Sequence, residues 1–474
     1  MLTIHGSASK SRRCDGISRR GFLRAGALGV GGAFSLADLL RAEAQAGVGS
    51  SSKAVINIHL DGGPPQMDLI DPKPEAPAEI RGEFASLPTC IPGLHLTELM
   101  PKVASIADRF VFLRSLVGSA GRHDAFQAQS GFSFQDLSSI GGRPAMGSVV
   151  SHLFGSPDDP APAFVDLMQG RGKVRDSARP GFLGPVYQPF RPDISHLFHR
   201  ELESGMKSEL GRLGSRAQGV RLELADGLTL DRLDDRVGLL EDLDTIRRRL
   251  EESSDQIAAQ DAFNQQALTI VSSGRLAEAL NLDKEDPKVL AHYTPEMRVD
   301  ALAQSTSEGP EAAKKLLVAR RLVEAGVRVV SVSISDFDTH RDNFPRMRQL
   351  GPILDHALWA LITDLEQRGM LNDVSVVVWG EFGRTPKVNH VGGRDHWPRV
   401  GMGLLAGGGM KTGQVIGATD RHAGEATERP VSYQDVFATL YHNLGIDPAT
   451  AQVTDSSGRP QYLVGEGRVI REVI

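Results

Sequence analysis

Cysteine is nearly absent: the 474 residues contain two, Cys14 and Cys90. That scarcity excludes a disulfide-stapled scaffold and any zinc site built from several thiolates. An excess of positive charge is missing too, because 53 Lys and Arg stand against 59 Asp and Glu, a net of −6. A surface for non-specific nucleic-acid binding needs the opposite sign. No apolar run is a comfortable membrane span; the best candidate, Ala25 to Ala37, is short and rich in glycine. No internal repeat or low-complexity tract stands out. What remains is an ordinary globular mixture, 40% apolar and 24% charged. The length suits one large α/β domain with insertions, or two domains.

The first 46 residues differ from the rest. "SRRGFLRAGALGVGGAFSLADLLRAEAQA" joins the pair Arg19-Arg20 to a weakly apolar stretch and then to the small-residue site Ala44-Gln45-Ala46. With Ser18, Phe22, Leu23 and Arg24 around the arginines, the segment resembles a Tat export signal. The resemblance implies a signal peptide over 1–46, passage through the Tat translocase in the folded state, and a periplasmic or secreted location with no integral membrane span once the signal is removed. The mature chain would carry 46 basic and 56 acidic residues, a net of −10, and Cys90 alone. No cysteine follows the apolar stretch where a lipoprotein needs one. Export in the folded state suits a protein that acquires a metal or cofactor in the cytoplasm.

Apolar, β-branched runs occur at "AVINIHL" (54–60), "RFVFLRSLV" (109–117), "VRVVSVSI" (327–334), "VSVVVW" (374–379) and "GMGLLAGG" (401–408). Helical patterns, "EAAKKLLVARRLVEAG" and "ILDHALWALITDLEQRG", lie before and after the third run. Such alternation predicts a mostly parallel sheet with helices on both faces, whose strands are apolar throughout because neither face meets water. The stretch "LDRLDDRVGLLEDLDTIRRRLEESSDQIAAQDAFNQQAL" is charged, spaced in leucine at three and four, and without strand signal. It predicts a helical insertion over 195–310 within the domain 47–474, its charges forming a solvated helix face.

Ligands of open parallel sheets collect beyond the carboxyl ends of the strands. Polar residues fall at those ends here. Asp61 follows the first run, with Gly62 and Gly63 permitting a tight turn. In "SISDFDTHRDNF", Asp336, Asp338 and His340 alternate after the third, and would share one side if the strand continued. Glu381 and Arg384 follow the fourth, and Asp395 and His396 sit in the glycine-flanked loop "GGRDHWP". A mixed Asp, Glu and His set suits a divalent cation; the imidazoles favour zinc, manganese or iron over calcium. Arg384 is placed to bind an anionic substrate or to pair with a carboxylate.

The order of these segments, closed by "VSYQDVFATLYHNLGI", resembles the alkaline phosphatase and sulfatase superfamily. More closely, "HLDGGPPQMDLIDPKP", "FDTHRDN", "VVWGEFGRTP", "GRDHWP" and "LLAGGGMKTGQVIGATD" resemble a family of exported bacterial proteins of unknown function, the domain of unknown function family 1501, often labelled sulfatase-like. The resemblance covers almost the whole mature chain and implies an alkaline phosphatase-like α/β fold. It also implies one or two divalent ions, with zinc, manganese and calcium all compatible, and an alkoxide-type nucleophile attacking phosphorus or sulfur. By the same resemblance Asp61 matches the first-strand aspartate, and Asp338, His340 and His396 match one metal site. Glu381 stands where the superfamily has Asp followed by His, with Phe382 in place of that histidine. Asp395 joins the ligand candidates as the neighbour of His396. The nucleophile region reads "LVGSAGRHDAFQAQSGF", where Ser119 is the nearest hydroxyl and His123 begins the helix. His123 is a candidate ligand, nucleophile or general acid/base. There is no Cys-x-Pro-x-Arg or Ser-x-Pro-x-Arg sequence, which excludes a formylglycine mechanism.

The expectation is an exported metal-dependent hydrolase of an anionic phosphate or sulfate ester, with Ser119, His123 or a metal-bound water attacking and Arg384 holding the anion. The alternatives are a non-catalytic metal-binding or assembly protein of the same fold at the cell surface, and a metal-dependent phosphomutase or transferase.

Overall fold

A computed structural model describes residues 53–138, 140–168, 174, 176–197, 269–270, 272–295 and 306–474. The expected export segment, 1–46, and most of the expected insertion, 198–268 and 296–305, lie outside the described residues. The fold that follows is that of the unit Ala54–Ile474.

The central sheet has eight strands: β1 (Ala54–Leu60), β2 (Phe110–Val117), β3 (Phe164–Leu167), β4 (Val329–Ile334), β5 (Val374–Trp379), β6 (Gly401–Gly407), β7 (Gln414–Ile416) and β8 (Val431–Ser432). Their spatial order is β7-β2-β6-β5-β1-β4-β3, with β8 also on β2. The architecture is mixed α/β and mostly parallel; β6 alone in this sheet runs against its neighbours β5 and β2. All five expected runs form strands within two residues of the expected ends. β3 is an addition, since "FVDL" is too short to give a periodic signal.

Burial on both faces explains the continuous apolar strands. Ile56, Ile58, Leu60, Val330, Val332, Val376 and Val378 enter one core, under α3 (Ala312–Glu324) and α4 (Asn343–Gln367). Val55, Val329, Val377 and Trp379 enter the other, under α2 (Met146–Phe154) and α5 (Tyr433–Asn443). A short helix, α1 (Phe126–Ser130), covers the polar positions of this second face: Asn57 donates to Ala128 O at 2.8 Å, and Ser331 to Gln129 Oε1 at 2.9 Å.

The helix expected to start at Ile353 begins ten residues earlier, at Asn343, and runs through Pro352. Proline forgoes one backbone hydrogen bond, but the helix is anchored on both sides of it. Met347, Leu350 and Leu354 are buried, and Gly351 sits so close to Leu99 that a Cβ would collide with that side chain. The described parts of the 195–310 region include the helices Arg275–Leu280 and Pro287–His292, whose Leu276 and Ala279 reach the first core. Among the described residues no helix is long and apolar enough to cross a membrane.

Candidate metal centre

The carboxyl ends of β1, β2, β4 and β5 open on one rim, and because β6 is reversed, the segment that precedes it starts there too. Two turns set the rim's geometry. Gly62 adopts φ +110° and Gly63 φ +77°, and a Cβ on Gly62 would overlap the backbone of Asp338. Only glycine lets the β1 turn lie against the loop after β4.

That loop is not an extended strand. β4 ends at Ile334, and Asp336 has φ +75°, in the left-handed region. Its carboxylate accepts the Ser307 N–H, while Glu308 Oε1 accepts the Ser335 N–H at 2.7 Å. Asp336 therefore does not share a side with Asp338 and His340, as strand alternation predicted. The turn delivers the last two to the rim.

Four side chains converge there. Ligand atoms of His123, Asp338, His340 and His396 all lie within 4.8 Å of one another. His340 Nε2 is 3.2 Å from Asp338 Oδ1 and 3.0 Å from His396 Nε2, and His123 Nε2 is 3.3 Å from Asp338 Oδ2. Each of two histidines is oriented by a carboxylate on its other nitrogen: Asp395 Oδ1 is 2.7 Å from His340 Nδ1, and Glu381 Oε1 is 3.1 Å from His123 Nδ1. This is how metal-ligating imidazoles are commonly held. Asp395, expected as a ligand, reaches His340 instead of the four-residue group.

Burial works against charge on Asp338, but hydrogen bonds with His123, His396 and Arg384 hold its carboxyl well below the usual carboxylate range. Burial also disfavours a charged His123, yet hydrogen bonds with Asp338 and Glu381 push its imidazole up to about 9. Both shifts come from the pairing of carboxylates with His123, and a divalent cation would compete with that proton for the same ligand atoms.

Of its two expected roles, Arg384 takes the second, pairing with a carboxylate. It is fully buried, and its guanidinium donates from Nε to Gly63 O at 3.0 Å, from Nη1 to Arg394 O at 2.8 Å, and from Nη2 to Gly62 O and to Asp338 Oδ1, the last at 2.6 Å. These bonds commit it to the protein, where it fixes Asp338 rather than a substrate. Ser119 Oγ donates to Glu381 O at 2.6 Å and accepts from Gly121 N at 3.0 Å, so its proton is on a carbonyl and not on a base.

Asp61 and Glu381 belong to a second group, with His59, that is buried behind the first. His59 is a residue that sequence reasoning missed, because it sits inside an apolar strand. The signal was the alternation Asn57, His59, Asp61 on one strand face. Arg394 was missed as well. It is buried, bridges both oxygens of Asp68 at 2.8 and 2.9 Å, and so fastens the loop that carries Asp395 and His396. Beside Asp395 opens a groove of about 860 Å³, lined among others by Lys387, His390, Trp397, Arg399 and His422.

A family model described as "Protein of unknown function (DUF1501)" matches residues 52–474. The chain belongs to this family. No curated protein sequence matches this DUF1501 member. Among solved structures it is similar to the PsFucS1 sulfatase from Pseudoalteromonas sp., with 12% identity over 87% of this chain and 71% of the other, at a TM-score of 0.37. It is also similar to the phosphonate monoester hydrolase of Agrobacterium radiobacter, with 14% identity over 88% and 76% and a TM-score of 0.33. The phosphonate monoester hydrolase SpPMH from Silicibacter pomeroyi gives 13% identity over 89% and 76%, at 0.30. At these scores the likeness says nothing of reaction or substrate.

Proposed function

We propose that this DUF1501 protein is a metal-dependent hydrolase of phosphate or sulfate esters, exported through the Tat pathway to the periplasm or beyond. One observation carries the reading. The Nε2 atoms of His340 and His396 stand 3.0 Å apart beside Asp338, and His340 is turned there by Asp395 on its far nitrogen. Three imidazoles and one carboxylate suit a borderline cation such as zinc, manganese or iron better than calcium. A divalent ion held by these side chains supplies Lewis-acid chemistry, drawing charge from an ester oxygen.

The chain's own residues do the rest. Arg384 is a positioning residue that keeps Asp338 ionised and aimed. Asp395 sets the His340 tautomer, and Glu381 does the same for His123. Among the described residues Ser119 Oγ gives its proton to the Glu381 carbonyl and not to a base, so attack by water is better supported than attack by Ser119. The groove beside Asp395 has room for the rest of an anionic ester, with Lys387 and Arg399 exposed to it.

A non-catalytic metal-binding protein is the second reading, favoured by Arg384. Its guanidinium is buried and committed, so Arg384 is not available to hold an anionic ester.

Elemental mass spectrometry on the purified protein, beside His340→Ala and His396→Ala, tests the metal, and turnover of aryl phosphates and aryl sulfates with and without chelator tests the reaction. Metal lost in both variants with chelator-sensitive turnover is expected. Metal without turnover across a broad ester panel moves the conclusion to the second reading, and a metal-free protein after reconstitution ends both.

A further inference from the structure

One face of α4 carries Pro352, Asp355, His356 and Trp359, spaced at three and four residues and so stacked on the same side of the helix. Two pieces remote in sequence stand against that face. The start of the short helix Pro101–Ser105 brings Lys102, and the end of Pro287–His292 brings His292 and then Pro295. Between them lies a cleft of about 550 Å³ that shares no residue with the metal centre. Its size is that of a small-molecule site, and such sites often form between packed helices.

The charged groups on its walls are unequally satisfied. Both oxygens of Asp355 accept from the backbone, at 3.0 Å from Lys102 N and 2.7 Å from Val103 N. Glu98 Oε1 stands 3.9 Å from Arg348 Nη1. The Lys102 ammonium has no carboxylate partner among the described residues. Its Nζ donates to His356 Nδ1 at 2.5 Å and lies 4.6 Å from the centre of the Trp359 ring. His356 brings no compensating charge: its Nε2 donates to His292 O at 3.0 Å, which leaves Nδ1 to accept, and burial together with Lys102 lowers the imidazole to about 4. His292 is held by its Nε2, which donates to Thr363 Oγ1 at 2.9 Å, and its ring packs 4.6 Å from that of Trp359.

An ammonium has three protons to donate. One goes to a neutral imidazole, and the other two have no acceptor among the described residues. Partial removal from water strengthens the pull of this half-buried cation on an anion. The remaining walls, Leu99, Pro101, Pro295, Pro352 and the indole of Trp359, suit a flat apolar body. A single unpaired cation flanked by two acids favours one negative charge over two.

We infer that this cleft binds a small aromatic monocarboxylate, its carboxylate on Lys102 Nζ and its ring among the prolines beside Trp359. Nothing in the cleft depends on a metal at the rim.

Equilibrium dialysis of the full chain against cinnamate, beside its neutral isostere cinnamamide, tests this. Saturable binding of one cinnamate per chain is expected, with cinnamamide weaker by about 10- to 100-fold, the effect of a charge-assisted hydrogen bond. Lys102→Met is expected to lower cinnamate affinity by the same factor, and Trp359→Leu to lower it less. Equal affinity for acid and amide, equal affinity in Lys102→Met, or no saturable binding at millimolar cinnamate overturns the inference. Should Lys102→Met fail to fold, lysine acetylation of the unaltered protein decides, read by peptide mass spectrometry. Protection of Lys102 by cinnamate supports the site, and equal labelling with and without cinnamate rejects it.

Discussion

Asp395 Oδ1 lies 2.7 Å from Nδ1 of His340, and that single contact decides which face of the imidazole looks into the rim. The hydrogen bond between Asp395 and His340 also holds the Asp395 carboxyl below its ordinary value. Because the Asp395 side chain is 53% exposed, its loss should leave the fold intact. Asp395→Ala is expected to weaken metal affinity by about 10- to 100-fold, the range for partners that orient a ligating histidine. Competition against a chromophoric chelator measures this, and unchanged affinity would show that His340 is aimed by packing alone.

Arg384 ties Asp338 to the carbonyls of Gly62, Gly63 and Arg394. Removing it leaves three carbonyls without their donor and takes the cation from the half-buried Asp338 carboxylate. Arg384→Met is expected to cost about 3–5 kcal/mol in denaturant unfolding, as for one partner deleted from a buried pair. Arg384→Lys should recover little of this, because an ammonium cannot reproduce the planar five-donor fork. An anion-binding role predicts the reverse, with stability kept and KM raised.

These two residues mark the boundary of what the chain discloses in one dimension. Strand placement was legible because β1, β4 and β5 are buried on both faces and so read as unbroken apolar runs. The rim was legible because parallel strands bring Asp61, Asp338 and Glu381 to the same end. The turn at Asp336 was not, since an aspartate in the left-handed region looks the same as one in a strand. Nor was the burial of Arg384, because an arginine beside a glycine-rich turn suits an exposed anion site as well as a buried clamp. His59 was hidden by the apolar run around it, and the first ten residues of α4 by the polar composition of the segment before Ile353.

Away from the rim, Asp355 accepts from the backbone N–H of Val103 at 2.7 Å and Lys102 at 3.0 Å, and burial pushes its carboxyl up to about 6. A buried acid with a raised value binds its proton more tightly folded than unfolded. Its contribution is therefore fully present below about pH 4 and is lost as pH rises through about 6. Neighbouring His356 is lowered to about 4 by burial and by Lys102, so its contribution runs the other way over an overlapping window. Asp355→Asn removes the first dependence and leaves the second. Relative to the unaltered protein, the variant should gain up to roughly 3 kcal/mol between pH 4 and pH 7. Urea unfolding at a series of pH values reads that difference, and a flat difference would show that Asp355 titrates normally.

Ser119 is the residue on which the identity of the attacking group turns. Its hydroxyl gives its proton to the Glu381 carbonyl and receives one from Gly121 N, so both contacts stabilise a turn and neither activates an oxygen. A serine nucleophile needs a base or a metal at that oxygen, and its removal costs on the order of 10⁴- to 10⁶-fold in kcat. If water attacks, Ser119→Ala loses one hydrogen bond and should retain kcat within about tenfold, with metal content unchanged. Any ester found to turn over provides the assay. A collapse of kcat with metal content and melting temperature preserved would place Ser119 at the reacting atom, and would mean that its bond to Glu381 breaks when substrate enters.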